Sequence, residues 1–278
     1  MKNLIILRGG GDIATGVAHR LRMSGFNLVL LELPCPTAIR RNVAFANAVF
    51  EVEATVEGIS SRLAKSIEDV NEYIRNGIIP VIIDPEGEYI SHLKPLAVID
   101  CILAKKNIGT RLKMAPIVIG VGPGFEAGRD VHAVVESNRG HNLGKVILTG
   151  SACSDSSIPG DIGGFALERV LRAVCDGTVE NRFEIGDYIS SGDIVCTVDG
   201  LPVRAEISGI LRGIIHNGIR VCKNMKIGDI DPRGDKSYCC TISDKARSIG
   251  GGVLEALLYL DNLRKNNAYP TVMEEYKC

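Results

Sequence analysis

Over the first half of the chain, apolar residues come in short runs broken by glycines and acids. Leu4 to Leu7, Leu28 to Leu31, Ile78 to Asp84, Leu96 to Asp100 and Ile117 to Val121 each have the length of a buried parallel strand. Between them the period changes. Ile13, Val17 and Leu21 share one helical face, with Gly25 placed as a stop. Ser66-Ile67-Glu68-Asp69 is a capping-box variant that predicts a helix to Asn76, ended by Gly77. Val43 to Phe50 fits helix or strand equally. Lys145 to Thr149 reads as a last strand. Strands alternating with helices predict an α/β fold whose first domain, residues 1–150, is a Rossmann-like, doubly wound parallel sheet. A small, polar stretch from Gly150 to Gly164 reads as a loop and domain boundary.

The second region repeats itself at an offset of 32 positions. Leu171-Arg172-Ala173 matches Val203-Arg204-Ala205, Gly177 matches Gly209, Gly186 matches Gly218 and Asp199 matches Asp231. Val179 and Leu211, Val195 and Ile227, and Val198 and Ile230 keep the apolar pattern in step. Short strands with Gly, Asp and Asn turns predict an all-β unit over 171–234, in which neither copy could bury its apolar face alone. The pattern resembles the biotinyl/lipoyl-type barrel-sandwich hybrid. A carrier domain of that type needs a Lys at the hairpin between the halves. Val198-Asp199-Gly200-Leu201-Pro202 stands there instead, which points to a structural or docking unit.

The last region, 235–278, predicts one helix from Asp244 through about Lys265, capped by Ser243 and packing back on the first domain. Ile249, Val253, Ala256, Leu257 and Leu260 form its apolar face. Gly250-Gly251-Gly252 inside it costs about 1 kcal/mol per Gly relative to Ala, which implies close approach to another backbone or a ligand. From Asn266 the chain reads as a frayed polar end.

Composition narrows the classes. The chain has 278 residues, 45% of them hydrophobic and 23% charged, with a formal net charge of −1. That length suits about two domains, and the balance gives no case for nucleic acid or an anionic membrane. No apolar run approaches the roughly 18 residues of a membrane span, and the N-terminal run is too short for a signal peptide. Nine scattered cysteines without a CxxC pair suit a reducing cytoplasm.

Candidate chemistry begins at the first glycines. Gly9, Gly11 and Ala14 have dinucleotide-fingerprint spacing, for a tight turn, backbone approach to a pyrophosphate and close helix packing. The helix start offers N–H groups to an anion, and Glu32 lies where a carboxylate accepts from a ribose. The alternative is a turn that only packs tightly, and Asp12 would compete with phosphate for the helix N-terminus. Arg40 and Arg41 follow, suited to a ligand phosphate or to a solvated face. A second glycine loop, with Gly122 and Gly124, is a further cradle or a plain crossover. Asp130, His132 and Glu136 would share one face of a strand, as weak metal candidates, acid–base groups or a polar wall. Cys239 and Cys240 precede the last helix, as a reactive thiol or as two inert ones.

Several stretches together resemble one family: RGGGDIATGVAHRL, PTAIRR, GVGPGFEAGRDVHAVVES with RGH, KIGDIDPR, and CCTISDKARSIGGGVLEA. They are similar to the YqeB-like accessory proteins of selenium-dependent molybdenum hydroxylase systems. The doubled Cys239-Cys240 departs from the single Cys expected there. The resemblance implies a bacterial cytoplasmic maturation factor, with a molybdenum hydroxylase apoenzyme or other maturation factors as partners and homo-oligomers possible. A Rossmann-like domain then suits a molybdopterin dinucleotide. The competing expectations are an NAD(P)-dependent oxidoreductase, with His132 as its proton donor, and a scaffold without catalysis.

Overall fold

A computed structural model describes residues 3–155 and 159–266. The expected frayed end lies, beyond Asn266, outside the described residues. The first strand, β1 (Leu4–Arg8), enters the glycine turn and leads to α1 (Asp12–Met23), then β2 (Asn27–Glu32). The ambiguous stretch 43–50 resolves into 3-10 turns and a short α2 (Ala48–Glu51). The chain continues through β3 (Glu53–Val56), β4 (Ile59–Leu63), α3 (Ile67–Arg75), β5 (Ile79–Ile83), α4 (Glu88–Leu93), β6 (Ala97–Asp100), β7 (Ile117–Val121), β8 (Ala133–Val135) and β9 (Val146–Ile147). Ser66 and Asp69 cap α3 reciprocally.

These strands form one nine-stranded sheet in the order β3-β4-β5-β2-β1-β6-β7-β8-β9. It is parallel from β4 to β8, with an antiparallel strand at each edge. The period of two sorts the side chains. Ile5 and Leu7 face a core shared with α1 and the C-terminal helix, while Leu4 and Ile6 face α3 and α4. With both faces covered, the central strands are continuous apolar runs.

The second unit consists of β10 (Val170–Arg172), β11 (Gly177–Asn181), β12 (Tyr188–Ile189), β13 (Ile194–Val198), β14 (Leu201–Arg204), β15 (Gly209–Ile214), β16 (Arg220–Val221) and β17 (Lys226–Asp231). Two antiparallel sheets, β10-β17-β15-β12 and β14-β13-β11-β16, close over one apolar core. The 32-residue offset carries β11, β12 and β13 onto β15, β16 and β17, and so carries one sheet order onto the other. Even the close approach recurs. A Cβ on Gly177 would lie 2.4 Å from the Asp199 side chain, and one on Gly209 would lie 2.5 Å from the Asp231 carbonyl.

The last helix, α5 (Asp244–Lys265), is capped by Ser243 and lies against α1. Two of its three consecutive glycines are contact points, and Gly251 has nothing within 4 Å. A Cβ on Gly250 would come 2.9 Å from the Gly16 carbonyl, and one on Gly252 would come 2.0 Å from the Gly144 carbonyl. Gly16 in turn faces Ala246. Among the described residues, no helix is long and apolar enough to cross a membrane.

Candidate functional site

The carboxyl ends of β1, β6, β7 and β8 do not open directly onto solvent. Asp12 and Ile13 after β1, Lys105 after β6, Pro123 after β7, and Ser137 to Arg139 after β8 line one wall of a cleft of about 1470 Å³. The opposite wall is the β unit, through Arg169, Arg172, Arg212 and Lys226. Arg233 and the start of α5, including Lys245, close one side. Two helix N-termini, those of α1 and α5, thus face one space, and both present the positive end of a helix dipole.

Charge in the lining is lopsided. Nine Arg and Lys side chains line the cleft, against four carboxylates: Asp12, Asp155, Asp161 and Asp244. A chain of net charge −1 therefore concentrates positive potential here. Behind the lining, two buried carboxylates hold the cations in place. Asp229 takes Arg169, Arg212 and, at 3.5 Å, Lys226. Asp231 takes Arg212 at 3.2 Å and Arg233 at 2.6 Å. Burial works against the Asp229 carboxylate, but Lys226, Arg212 and Arg169 outweigh it and hold its pKa below the ordinary value. Asp231 is held low against burial by its bonds from Arg233 and by Arg212. Arg212 sits in the β15 bulge between Leu211 and Gly213, a position that re-aims a side chain out of the ladder.

Lys226 and Lys245 are the two lysines that burial destabilises in the lining. Burial pushes the Lys226 ammonium down, aided by Arg169 and Arg212 and opposed by Asp229 and Asp12. Burial lowers Lys245 too, with Arg139 and Lys226 adding repulsion against Asp12. Arg40 is more firmly held: it pairs with Asp12 at 3.3 Å and donates to the Tyr238 and Thr241 carbonyls. Its buried Nε has no partner. Arg139 grips Asp244 with two hydrogen bonds, which bring that carboxyl to about 2.

The residues picked out by sequence fall in several places. Arg40 lines the cleft, and Gly11, the unstrained N-cap of α1, would carry a Cβ with nothing within 4 Å. The other glycines pack against the protein itself. Gly9, at φ +92°, lies on the Cys101 carbonyl. A Cβ on Gly10, the glycine between the fingerprint pair, would lie 3.0 Å from the Ala46 nitrogen. Gly122 faces Ser137 and Gly124 faces the Lys106 backbone. Ala14 is buried. Both Glu32 oxygens accept backbone N–H groups, from Gly10 at 2.7 Å and Leu33 at 2.8 Å. Burial raises its pKa against those two bonds. In this structure Glu32 braces the turn, much as Asp84 and Asp100 brace the loops after their own strands.

Asp130, His132 and Glu136 do not share a strand face, because β8 begins only at Ala133. The chain turns at Gly128, and Asp130 accepts the Glu126 N–H and pairs with Arg129. His132 Nδ1 accepts the Val118 N–H, and burial lowers the pKa of the ring. Glu136 accepts from the Asn138 and Cys153 backbones. Among the described residues, no group of three His, Cys, Asp or Glu is placed to hold a metal. Cys239 is buried and its thiol is raised by burial, while Cys240 is exposed. The thiol that lines the cleft is Cys153, raised by its bond to Glu136.

Sequence reading missed Arg169, Arg212, Lys226, Asp229 and Lys245. One signal was available: in KIGDIDPR, Asp229, Asp231 and Arg233 recur at period two within an otherwise apolar strand pattern.

Fold and site define a two-part α/β protein with a cation-rich cleft between a mainly parallel sheet and a pair of half-barrel sheets. Over 257 residues, 92% of the chain, the sequence is 48% identical to a protein of Escherichia coli (strain K12) described as "Uncharacterized protein YqeB". The chain spans about half of that relative, 48% of its length. No protein-family model matches the chain. Among solved structures, an aspartoacylase family protein from Mesorhizobium loti aligns with 82% of this chain and 84% of its own at 12% identity and a TM-score of 0.27. The ectoine utilization protein EutE from Ruegeria pomeroyi aligns with 82% of this chain and 86% of its own at 11% identity and the same TM-score of 0.27.

Proposed function

We propose that this chain is a YqeB-like accessory protein in the maturation of selenium-dependent molybdenum hydroxylases, and that it binds a pterin dinucleotide in the cleft. The observation that carries the reading is the cleft itself. It lies at the carboxyl edge of the parallel strands, where open α/β sheets take ligands, and it is rich in cations. Its volume suits an extended ligand rather than a lone ion.

On this reading the strands β5-β2-β1-β6-β7 are a Rossmann-like unit. The two antiparallel sheets are a barrel-sandwich hybrid of biotinyl/lipoyl type, used as a wall of the site. Gly11 and the start of α1 bound the ligand on the sheet side, and Arg40 contributes charge through a guanidinium fixed by Asp12. The work is cytoplasmic, and the partner is the apoenzyme or another maturation factor. For an NAD(P)-dependent oxidoreductase the cleft offers less: His132, the proton donor that reading calls for, is not among the lining residues.

Thermal unfolding against a ligand panel tests the reading. The panel holds NAD, NADH, NADP, NADPH, CTP and pterin–cytosine dinucleotide. At about 100 times Kd a bound ligand stabilises by about 2.7 kcal/mol. Stabilisation by the cytosine compounds alone is expected. Stabilisation by nicotinamide dinucleotides alone would replace the reading with the oxidoreductase, and none at all would favour the scaffold.

A further inference from the structure

We infer that Lys226 and Lys245 form a clamp for a diphosphate group, backed by guanidinium groups that Asp229 holds still. The β unit supplies its own control. Its halves share one strand plan, so whatever the fold alone demands should recur 32 positions away. Asp229 and Arg212 correspond to Thr197 and Glu180, and Lys226 corresponds to Ile194. The first half folds with a neutral partner, an acid and an apolar residue in those positions. The cationic set of the second half is therefore not a requirement of the architecture, and its Arg212 and Lys226 line the cleft beside Arg169 and Arg172.

Lys245 leads to the same conclusion from another direction. It lies in the first turn of α5, where a cation opposes the helix dipole. It is half-buried, repelled by Arg139 and Lys226 and offset by the charges of Asp12 and Glu136. An ammonium kept in such a place is explained by an anion that binds there. The arginines around the two lysines are already committed, Arg139 to Asp244, Arg40 to Asp12, and Arg169, Arg212 and Arg233 to Asp229 and Asp231, so they contribute a fixed field. The two ammonium groups keep N–H donors for a ligand, and a lysine suits phosphate as a compact point charge.

The glycine turn is a weaker seat. Its Gly10 N–H is spent on Glu32, its Gly10 carbonyl accepts from Ala46, and Asp12 adds a carboxylate at the helix start. The diphosphate is thus placed on the β-unit and α5 side of the cleft. The assignment rests on the proposed dinucleotide reading only for what carries the diphosphate; a nucleoside diphosphate or inorganic pyrophosphate presents the same group.

Calorimetric titration of the full chain at low ionic strength tests it, with inorganic pyrophosphate and pterin–cytosine dinucleotide as separate probes. The wild type binds pyrophosphate. Lys226→Met and Lys245→Met each weaken it by about tenfold or more, the loss of one charge-assisted hydrogen bond. Lys226→Arg retains most of the binding, and Lys113→Met, at the surface and outside the cleft, changes nothing. Thermal unfolding of each variant separates lost binding from lost folding, and Lys245→Met should unfold no lower than wild type. Wild type that ignores pyrophosphate, or single variants that are folded and bind it as wild type does, would overturn the clamp. Pyrophosphate bound through these lysines without dinucleotide binding keeps the clamp and removes the cofactor reading. Dinucleotide bound equally by wild type and both Met variants does the reverse.

Discussion

In the first half of the β unit, the Thr197 hydroxyl and the Glu180 carboxyl meet at 3.5 Å across β11 and β13. Thirty-two positions on, the same slot holds Asp229 and Arg212, and Arg169 and Lys226 converge on the same carboxylate. Asp199 spends its carboxyl on the Thr178 N–H in an exposed hairpin, while its counterpart Asp231 is fully buried between Arg212 and Arg233. One fold thus carries two different surfaces. The Thr197 slot shows what the strands need, and the Asp229 slot, behind the cleft lining, shows what has been added.

The comparison breaks or holds on stability first. Asp229→Ala strands two arginines with low exposure beside a lysine, and removing one partner of such a buried set costs about 3–5 kcal/mol. Thr197→Val, in the equivalent slot, should cost less than about 1 kcal/mol, since the bond it loses is long, at 3.5 Å, and its partner Glu180 is exposed to water. Urea unfolding of both variants checks this, and equal costs would mean that the halves are energetically alike.

A smaller effect separates two neighbouring glycines of the β1–α1 turn. Gly10→Ala drives a Cβ to 3.0 Å from the Ala46 backbone and should cost about 1–3 kcal/mol. Gly11→Ala, at φ −65° with open space beyond, should change stability by less than about 0.5 kcal/mol. If Gly11→Ala destabilised as much as Gly10→Ala, the turn would be closed rather than open to the cleft.

Acid should weaken the buried carboxylate set of the second half. Asp229 and Asp231 have folded pKa values below their unfolded ones, so their contribution is complete above about pH 4 and is lost as pH falls through the folded values. Urea midpoints should therefore hold from pH 7 to pH 5 and drop toward pH 3. A drop already complete by pH 5 would place the dominant titration elsewhere. The smallest effect belongs to Lys245→Met, which relieves the α5 dipole and should leave stability unchanged or raise it by about 0.3–1 kcal/mol.

How much of this was legible in the sequence follows from the range of the forces involved. Local signals were clear: the period of Ile13, Val17 and Leu21, the Ser66 and Ser243 caps, and the glycines of α5 each depend on near neighbours in the chain. The repeat was clear because two copies must satisfy one packing problem. The site was not, because it is made of cations from β10, β15, β17 and α5 brought together by long-range packing, and net charge averages them away. Glu32 shows the opposite limit. Its spacing from Gly11 fits a ribose acid, yet whether its oxygens face a ligand or the turn depends on where the Gly10 N–H points.

Amine footprinting of the wild-type protein tests the placement of the ligand most directly. Lysines are acetylated briefly with and without saturating pyrophosphate and read by mass spectrometry. The account predicts that Lys226 and Lys245 are protected by the ligand while Lys94 and Lys113 are modified equally in both samples. Protection absent from Lys226 and Lys245, in a sample where binding is confirmed, would contradict it and move the anion to another part of the molecule.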